Sequence, residues 1–139
     1  MKRHAFLLGL LLLPSLAGCG SSSLPAITVD LGTDATLRLG QDALVRGEAA
    51  TVRLDKILED SRCPANADCI SAGRIRVRVR VTSARGSFTQ EASLPPPEVT
   101  IEQPSGYAVA LTAVEPPNFA GRTIPDGEYR FTAKVTKSP

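Results

Sequence analysis

The chain has no tryptophan, a single methionine and a single histidine, and these absences exclude several kinds of active site. The methionine is Met1 and the histidine is His4, so cleavage of an export signal would remove both. Without histidine, a domain has no Ser-His-Asp or Cys-His catalytic site, no imidazole zinc site and no HExxH protease motif. Without methionine, thioether copper sites are excluded as well. We therefore expect no enzyme, no cofactor and no metal site, with carboxylate chemistry as the catalytic alternative.

Long apolar runs are also absent, apart from one short run near the N-terminus. A positive start, Met1 to His4, precedes Ala5 to Leu13, which contains only Ala, Phe, Leu and one Gly. Nine helical residues at about 1.5 Å each cover less than half of a hydrocarbon core of about 30 Å. We therefore interpret residues 1–18 as a signal peptide rather than a membrane span.

The residues that follow, Leu16-Ala17-Gly18-Cys19, resemble a lipobox, the bacterial signal for acylating a cysteine and cutting just before it. The resemblance implies a lipoprotein that starts at a lipidated Cys19 and lies on a membrane without crossing it. Gly20 stands where many lipoproteins retained in the Gram-negative inner membrane have aspartate. We expect attachment to the outer membrane, facing the periplasm, or to the outer face of a single Gram-positive membrane. A cleaved secretory peptide without lipid is the alternative.

The remainder divides into a short tether and one domain. Residues 19–26 are the predicted lipidated tether, whose polar part is too poor in apolar groups to fold, and residues 27–139 are the predicted domain. The net charge of +2 disappears if Lys2 and Arg3 are removed with the signal, so the domain is near neutral. We therefore expect no nucleic-acid partner.

Cysteine is scarce, and its three positions divide into two roles. With Cys19 assigned to lipid, Cys63 and Cys69 remain as a pair in an oxidising compartment, and we predict a disulfide. The C-x₅-C spacing fits neither a C-x₂-C zinc knuckle nor a thioredoxin-type redox pair. A ring of this size stabilises a fold by roughly 2 to 3 kcal/mol and holds its loop in one shape. A reactive dithiol is the alternative, without a nearby context for lowering a thiol pKa.

Period-two alternation recurs along the domain and predicts half-buried strands separated by Pro- and Gly-rich turns. It is strict from Arg74 to Val81, where four arginines alternate with four β-branched residues. Aromatic residues make up 4% of the chain, so we expect a core of Val, Ile, Leu and Ala. We predict an all-β fold: an antiparallel β-sandwich of about seven short strands, with an immunoglobulin-like arrangement as one option. The other predicted strands are Ile27–Leu31, Ala35–Leu39, Thr51–Leu58, Phe88–Leu94, Tyr107–Val114 and Tyr129–Val135.

One stretch resembles a known group. Gly40-Gln41, the run Glu59 to Pro64, Cys69 and Ala72-Gly73 are similar to the "DSRCP…C…AG" signature of small secreted and lipid-anchored bacterial domains. The resemblance covers roughly residues 37–81, with a looser match at the final strand. It implies the disulfide and the sandwich and carries no established activity. Many members have an aromatic residue where this chain has Ser71, so a partner contact made by that aromatic would be missing here.

The disulfide loop 60–73 and the proline-rich connection from Glu115 to Gly127 are the expected functional loops, because binding residues concentrate on loops held by a scaffold. Asp60 is expected to accept backbone N–H groups in an Asx-type turn. Arg62 either pairs with an acid, Asp60 or Asp68, or projects as a recognition side chain. Asp60, Asn66 and Asp68 offer oxygen ligands for a hard cation, at a spacing that fits no calcium loop. The candidate partner-binding residues are Arg62, Pro64, Asn66 and Asp68.

The second candidate surface is an arginine face formed by Arg74, Arg76, Arg78 and Arg80. Guanidinium groups bind phosphates, which suggests lipopolysaccharide or lipid headgroups as ligands. The alternative is a solvated face in which Asp55, Glu59 and Glu91 on neighbouring strands pair with the arginines.

These observations favour a non-catalytic, lipid-anchored envelope protein that binds another envelope protein, of unknown identity, through the disulfide loop. One alternative is an inhibitor of an envelope or secreted hydrolase that presents Arg62-Cys63-Pro64 on a rigid ring, since preorganisation lowers the cost of binding. Another is a carboxylate enzyme acting on cell-wall sugars, which would need two acids flanking a cleft. A third is an anion-binding module that uses the arginine face.

Overall fold

The computed structural model describes residues 23–96 and 102–139, and the predicted signal peptide and Cys19 lie outside them. These residues form eight strands and one 3₁₀ turn, Asp126–Glu128. The described part of the chain contains no helix that is long and apolar enough to cross a membrane. The strands are β1 (Ile27–Val29), β2 (Asp34–Leu37), β3 (Asp42–Val45), β4 (Thr51–Asp60), β5 (Ile75–Ser83), β6 (Gly86–Leu94), β7 (Tyr107–Glu115) and β8 (Arg130–Lys137).

The strands form two sheets that share one core, which confirms the predicted β-sandwich. One sheet has the order β1-β3-β4-β5-β6 and the other has the order β2-β8-β7. Leu54 and Val77 from the first sheet and Leu37 and Phe131 from the second belong to a single buried apolar cluster. Face-to-face packing of this kind removes one face of each sheet from water, and each buried aliphatic side chain contributes about 1.5 to 3 kcal/mol.

Strand β5 shows how the alternation builds the core. Its four β-branched side chains, Ile75 to Val81 in steps of two, are fully buried, while Arg78 and Arg80 on the opposite face are exposed. The core is mainly aliphatic, and its largest fully buried side chain is Phe131. The expected composition of the core, Val, Ile, Leu and Ala, is therefore found, with two aromatics from β8 and its preceding loop added.

The strand count and one strand direction differ from the sequence prediction. The additional strand is β3, in which the exposed Leu44 stands between the buried Ala43 and Val45, so three apolar residues in a row hide the alternation. Strands β1 and β3 pair in parallel, whereas the other pairings are antiparallel. The chain passes from β1 in the first sheet to β2 in the second sheet and then back to β3 in the first. It reverses its direction twice on this path, so β1 and β3 run in the same direction.

The tether reaches the sandwich at the edge formed by β1. Gln41 is buried, and its side-chain Nε2 donates a hydrogen bond to the backbone oxygen of Pro25 at 3.0 Å. The chain is therefore fixed to the domain from Pro25 onward.

Strand β4 carries two irregularities that decide which side chains point inward. Its pairing with β5 shifts between Leu54 and Lys56 and again between Ile57 and Glu59. After these shifts, Asp60 lies opposite the buried Ile75. Side chains directly opposite on antiparallel strands share a face of the sheet, so Asp60 points toward the second sheet.

Candidate functional site

Two loops meet at the end of the sandwich where β4 ends and β5 begins. We call this the disulfide end: residues 60–74, which contain the disulfide, and residues 116–129, which connect β7 to β8. The backbone N–H of Ala65 donates to the carbonyl oxygen of Asn118 at 2.8 Å. Asn66 Oδ1 accepts the N–H of Ala120 at 2.8 Å, and Asn118 Nδ2 donates to the carbonyl of Arg62 at 3.1 Å. The two segments therefore form one surface.

The predicted disulfide between Cys63 and Cys69 is present, with a Cα–Cα distance of 5.9 Å. Backbone hydrogen bonds extend the β4–β5 ladder up to the disulfide ring. The N–H of Ser61 donates to the carbonyl oxygen of Arg74, and the N–H of Cys63 donates to the carbonyl oxygen of Ala72, each at 2.8 Å. Gly73 makes this approach possible. Its φ is +66°, and a Cβ there would overlap the carbonyl oxygen of Ser61.

A network of polar side chains ties the base of the ring to β4 and to the connection between β7 and β8. Arg62 donates to both carboxylate oxygens of Asp60, through Nε and Nη2, at 2.8 Å each. The hydroxyl of Tyr129 donates to the same carboxylate at 2.8 Å, and the guanidinium lies 5.9 Å from the centroid of the Tyr129 ring. Arg62 Nη1 also donates to the carbonyl of Pro116 at 3.1 Å. The network thus joins β4, the residue before β8 and the β7–β8 connection.

The charges in this network are mostly enclosed. The side chains of Arg62 and Asp60 are 16% and 13% exposed. Burial alone raises the pKa of Asp60, but the hydrogen bonds from Arg62 and Tyr129 lower it, and the net shift is downward. Burial and the hydrogen bond to Asp60 raise the pKa of Tyr129 to about 12. The ion pair and the neutral tyrosine are therefore the stable forms near neutral pH.

The candidate binding residues occupy different environments at this end. Arg62 is the enclosed centre of the network, so of the two roles considered for it, pairing with Asp60 is the one found. Asp60 also accepts the N–H of Arg62 at 3.4 Å, as an Asx-type turn requires. Pro64 is half-buried, and Asn66 uses its side-chain oxygen to hold the neighbouring loop. Asp68 is exposed, and its carboxylate bonds to no other residue in the part of the chain that is described.

The sequence pattern did not indicate two apolar side chains at this end. Ile70 is fully exposed, and Phe119 is 36% exposed. Within residues 23–96 and 102–139, the only other large apolar side chain that is exposed is Leu44 on β3. Each of the two lies alone between small or polar residues, so periodicity gives no signal for either. Only the folded structure places them at one end of the molecule.

Oxygen ligands for a cation do not converge at the disulfide end. No group of three or more His, Cys, Asp or Glu residues that could hold a metal ion occurs among the described residues. The carboxylate of Asp60 is bound by Arg62 and Tyr129, and the side-chain oxygen of Asn66 accepts a backbone N–H. Of the three residues considered as ligands for a hard cation, Asp60 and Asn66 therefore have other partners, and Asp68 stands alone.

The arginine face is divided between paired and unpaired cations. Arg76 bonds Glu91 at 2.7 Å and Glu59 at 3.3 Å, and Arg80 bonds Asp55 at 2.8 Å. These are the three acids that the sequence suggested as cross-strand partners. The face is thus largely neutralised at Arg76 and Arg80.

Arg74 and Arg78 form no ion pair with any residue that the structure describes. Arg78 also lies directly opposite Lys56 in the β4–β5 ladder, because the first shift in β4 turns Lys56 outward. Like charges directly opposite on neighbouring strands repel. On its other side Arg78 faces Glu91, whose carboxylate bonds Arg76. Lys56 and Arg78 are therefore the part of the face where the cations have no described acid bonded to them.

Comparison of the chain with known proteins finds no matching family model, no matching curated protein and no matching solved structure. The resemblance to the "DSRCP…C…AG" group therefore stays a proposal.

Proposed function

We propose that the protein is a lipid-anchored, non-catalytic component of the cell envelope that binds another envelope protein through its disulfide end. The observation that carries this proposal is the exposure of Ile70 and Phe119 on two loops that are fixed to each other. An exposed apolar side chain on a rigid surface loses little conformational freedom when it binds, and aromatic and aliphatic anchors supply much of the energy of protein interfaces. The lipobox and the signal peptide support the membrane anchor at Cys19.

The state of the carboxylates supports a non-catalytic role. Asp55, Glu59 and Asp60 are each paired with an arginine. The pKa of Glu59 is lowered by hydrogen bonds from Ser61 and Arg76, and the pKa of Asp60 is lowered as well. A glycosidase needs one carboxylic acid with a raised pKa to protonate the leaving group, and these shifts run in the opposite direction.

The position of Arg62 favours general protein binding over the inhibitor alternative. A pseudo-substrate loop must project its recognition side chain into the partner. Here the guanidinium of Arg62 is directed into the fold and has three hydrogen-bonding partners or neighbours, Asp60, Pro116 and Tyr129. In our proposal Arg62 is a positioning residue, and the contact residues are Ile70, Phe119 and the exposed Asp68.

Anion binding is a second proposal, supported by the unpaired Lys56 and Arg78. A protein with Cys19→Ser, which has no lipid, should bind vesicles with anionic headgroups better than zwitterionic ones, and Lys56→Gln with Arg78→Gln should abolish the difference. Arg46→Gln with Arg122→Gln is the matched control, because it also removes two positive charges, each from an arginine that has an acidic partner away from this face. Equal binding to both vesicle types would contradict this proposal.

Photo-crosslinking in the protein's own cells tests the binding surface. A photoreactive amino acid replaces Ile70 in the anchored protein, and a second protein carries it at Leu44, an exposed apolar position on β3. Capture of one dominant protein from position 70 and not from position 44 is the expected result. A captured hydrolase whose activity the purified protein blocks would establish the inhibitor alternative. Equal capture at both positions, or no capture from an oxidised and folded protein, would contradict the proposal.

A further inference from the structure

A second concave site lies at the opposite end of the sandwich from the disulfide. Strands β4 and β5 run between the two ends, with Asp60 and Ile75 at one end and Thr51 and Ser83 at the other. A pocket of about 230 Å³ opens there between the β3–β4 turn, the β5–β6 turn, the start of β7 and the end of β8. Its polar lining residues are Glu48, Ser83, Arg85, Ser105, Tyr107 and Lys137.

The walls of this pocket are joined by hydrogen bonds. The hydroxyl of Ser83 donates to the carbonyl oxygen of Ser105 at 2.9 Å and accepts the N–H of Arg85 at 3.2 Å. The buried hydroxyl of Ser105 in turn accepts the N–H of Tyr107 at 3.3 Å. The turn that carries Arg85 is therefore held against the first residues of β7.

One side of the pocket is a compensated set of charges. Tyr107 donates its hydroxyl proton to Glu48 at 2.8 Å, and the ammonium group of Lys137 contacts the other oxygen of Glu48 at 2.8 Å. These two hydrogen bonds, first from Lys137 and then from Tyr107, lower the pKa of Glu48. The carboxylate and the ammonium group therefore cancel each other, and neither leaves a free charge in the pocket.

The other side holds a guanidinium group without an acidic partner. Arg85 forms no ion pair with any described residue. Its guanidinium lies against Gly106, where a Cβ would come within 3.3 Å of Arg85 Cζ, 3.4 Å of Nη1 and 3.5 Å of Nε. Gly106 has a φ of +82°, so this backbone favours glycine in any case. Because Gly106 has no side chain, the flat face of the Arg85 guanidinium can pack against the backbone at the pocket.

We infer that this pocket binds a small carboxylate-bearing molecule, with the guanidinium of Arg85 as its anchor. The pocket carries a net charge of one, from Arg85, and a guanidinium offers two parallel donors that match the two oxygens of a carboxylate. A phosphate dianion is less suitable, because among the described residues Arg85 is the one lining cation without an acidic partner and can balance a single negative charge only. The volume equals that of about eight water molecules at about 30 Å³ each, which suits a ligand of similar heavy-atom number.

Amide chemical shifts of the isotopically labelled protein, processed and purified from membranes in a zwitterionic detergent, test this inference. N-acetylglycine is the probe, N-acetylglycinamide is its uncharged counterpart of the same shape, and inorganic phosphate is the competing anion. We expect saturable shifts of the amides of Ser83, Arg85 and Gly106 with N-acetylglycine alone. Arg85→Gln should weaken binding about tenfold, which corresponds to about 1.4 kcal/mol.

The matched control is Arg38→Gln, which removes another exposed arginine without a described ion-pair partner and leaves the pocket intact. Unchanged amide shifts at the disulfide end report that Arg85→Gln is folded. The inference is overturned if no saturable shift occurs, if the amide probe or phosphate binds as well as the carboxylate, or if the two glutamine variants bind equally.

Discussion

Replacing Arg62 with glutamine should destabilise the domain strongly, although the residue lies in a surface ring. The substitution removes two hydrogen bonds to the carboxylate of Asp60 and one to the carbonyl of Pro116. It leaves the negative charge of Asp60 enclosed, with the hydroxyl of Tyr129 as its remaining side-chain donor. An enclosed charge that loses its counterion costs more than the pair contributed, because water cannot replace the lost partner.

The expected size of the effect follows from the enclosure of the two side chains. Removing one partner of a fully buried ion pair costs about 3 to 5 kcal/mol. Arg62 and Asp60 are 16% and 13% exposed, so water screens the remaining charge in part, and we expect a loss of about 2 to 3 kcal/mol. The pair of Arg46 and Asp30 provides the comparison, since its shortest N···O distance is 2.7 Å but its side chains are 67% and 54% exposed. There, Arg46→Gln should cost less than about 1 kcal/mol.

Urea unfolding of oxidised protein, followed by far-ultraviolet circular dichroism, measures both losses. The double variant Asp60→Asn with Arg62→Gln should be more stable than the sum of the single losses predicts, by about 1 kcal/mol or more, because the enclosed charge is gone. If Arg62→Gln costs no more than Arg46→Gln, the network is an ordinary surface pair and the argument from enclosure is wrong.

Acid should act on the same network. The pKa of Asp60 is lower in the folded state than in the unfolded state. Its contribution to the free energy of unfolding is therefore fully present above the unfolded pKa of about 3.9 and is lost as the pH falls through the lower folded value. Wild-type protein should lose stability below about pH 4 more steeply than Asp60→Asn, measured by urea unfolding across a pH series. Parallel curves for the two proteins would contradict the assigned shift.

Three further outcomes follow from the structure. Gly73→Ala should lower the free energy of unfolding in urea by about 3 kcal/mol or more. Gly47→Ala should lower it by about 1 kcal/mol, because φ is also positive there, at +74°, but the space is open. Equal losses would refute the close approach at Gly73. Cys69→Ser should lower the free energy of unfolding by roughly 2 to 3 kcal/mol and match the reduced wild type, and a smaller loss would mean that the ring is held by its neighbours alone. Tyr107→Phe leaves Tyr129 as the single tyrosine, and its tyrosinate absorbance should appear with a midpoint of about 12. Because this folded pKa is raised, the stability due to Tyr129 is fully present below its unfolded pKa of about 10 and is lost as the pH rises through about 12. A midpoint near 10 would show that the hydroxyl is not enclosed.

The regular part of the fold could be predicted because one face of each long strand meets the core. In β5, the alternation of arginine and β-branched residues determines which side chains are buried, and the structure has this arrangement. Strand β3 was not predictable in the same way, since its outward-facing Leu44 is apolar like its inward-facing neighbours Ala43 and Val45. The strand β1 was predicted, but its parallel pairing with β3 could not be inferred, because strand direction depends on the crossing between sheets and not on a local pattern.

The site was only partly predictable, for a related reason. The spacing of Cys63 and Cys69 and the compartment together predicted the ring, and the turn propensity of Asp60 predicted its local hydrogen bond. The partner that encloses Asp60, Tyr129, is far away in sequence. Exposure of Ile70 likewise depends on how the loops dock, and composition gives no measure of it.

If Cys19 carries the lipid as proposed, the hydrogen bond from Gln41 to Pro25 limits how far the domain can stand from the membrane. Only five residues, or six Cα–Cα steps, separate the proposed anchor at Cys19 from the first fixed point of the chain at Pro25. A fully extended chain of that length spans about 20 Å. This segment of chain is shorter than the diameter of the domain, so the domain stays close to the bilayer surface. A partner must therefore present its binding site within about one domain diameter of the same membrane, which favours other membrane-attached proteins over freely diffusing ones.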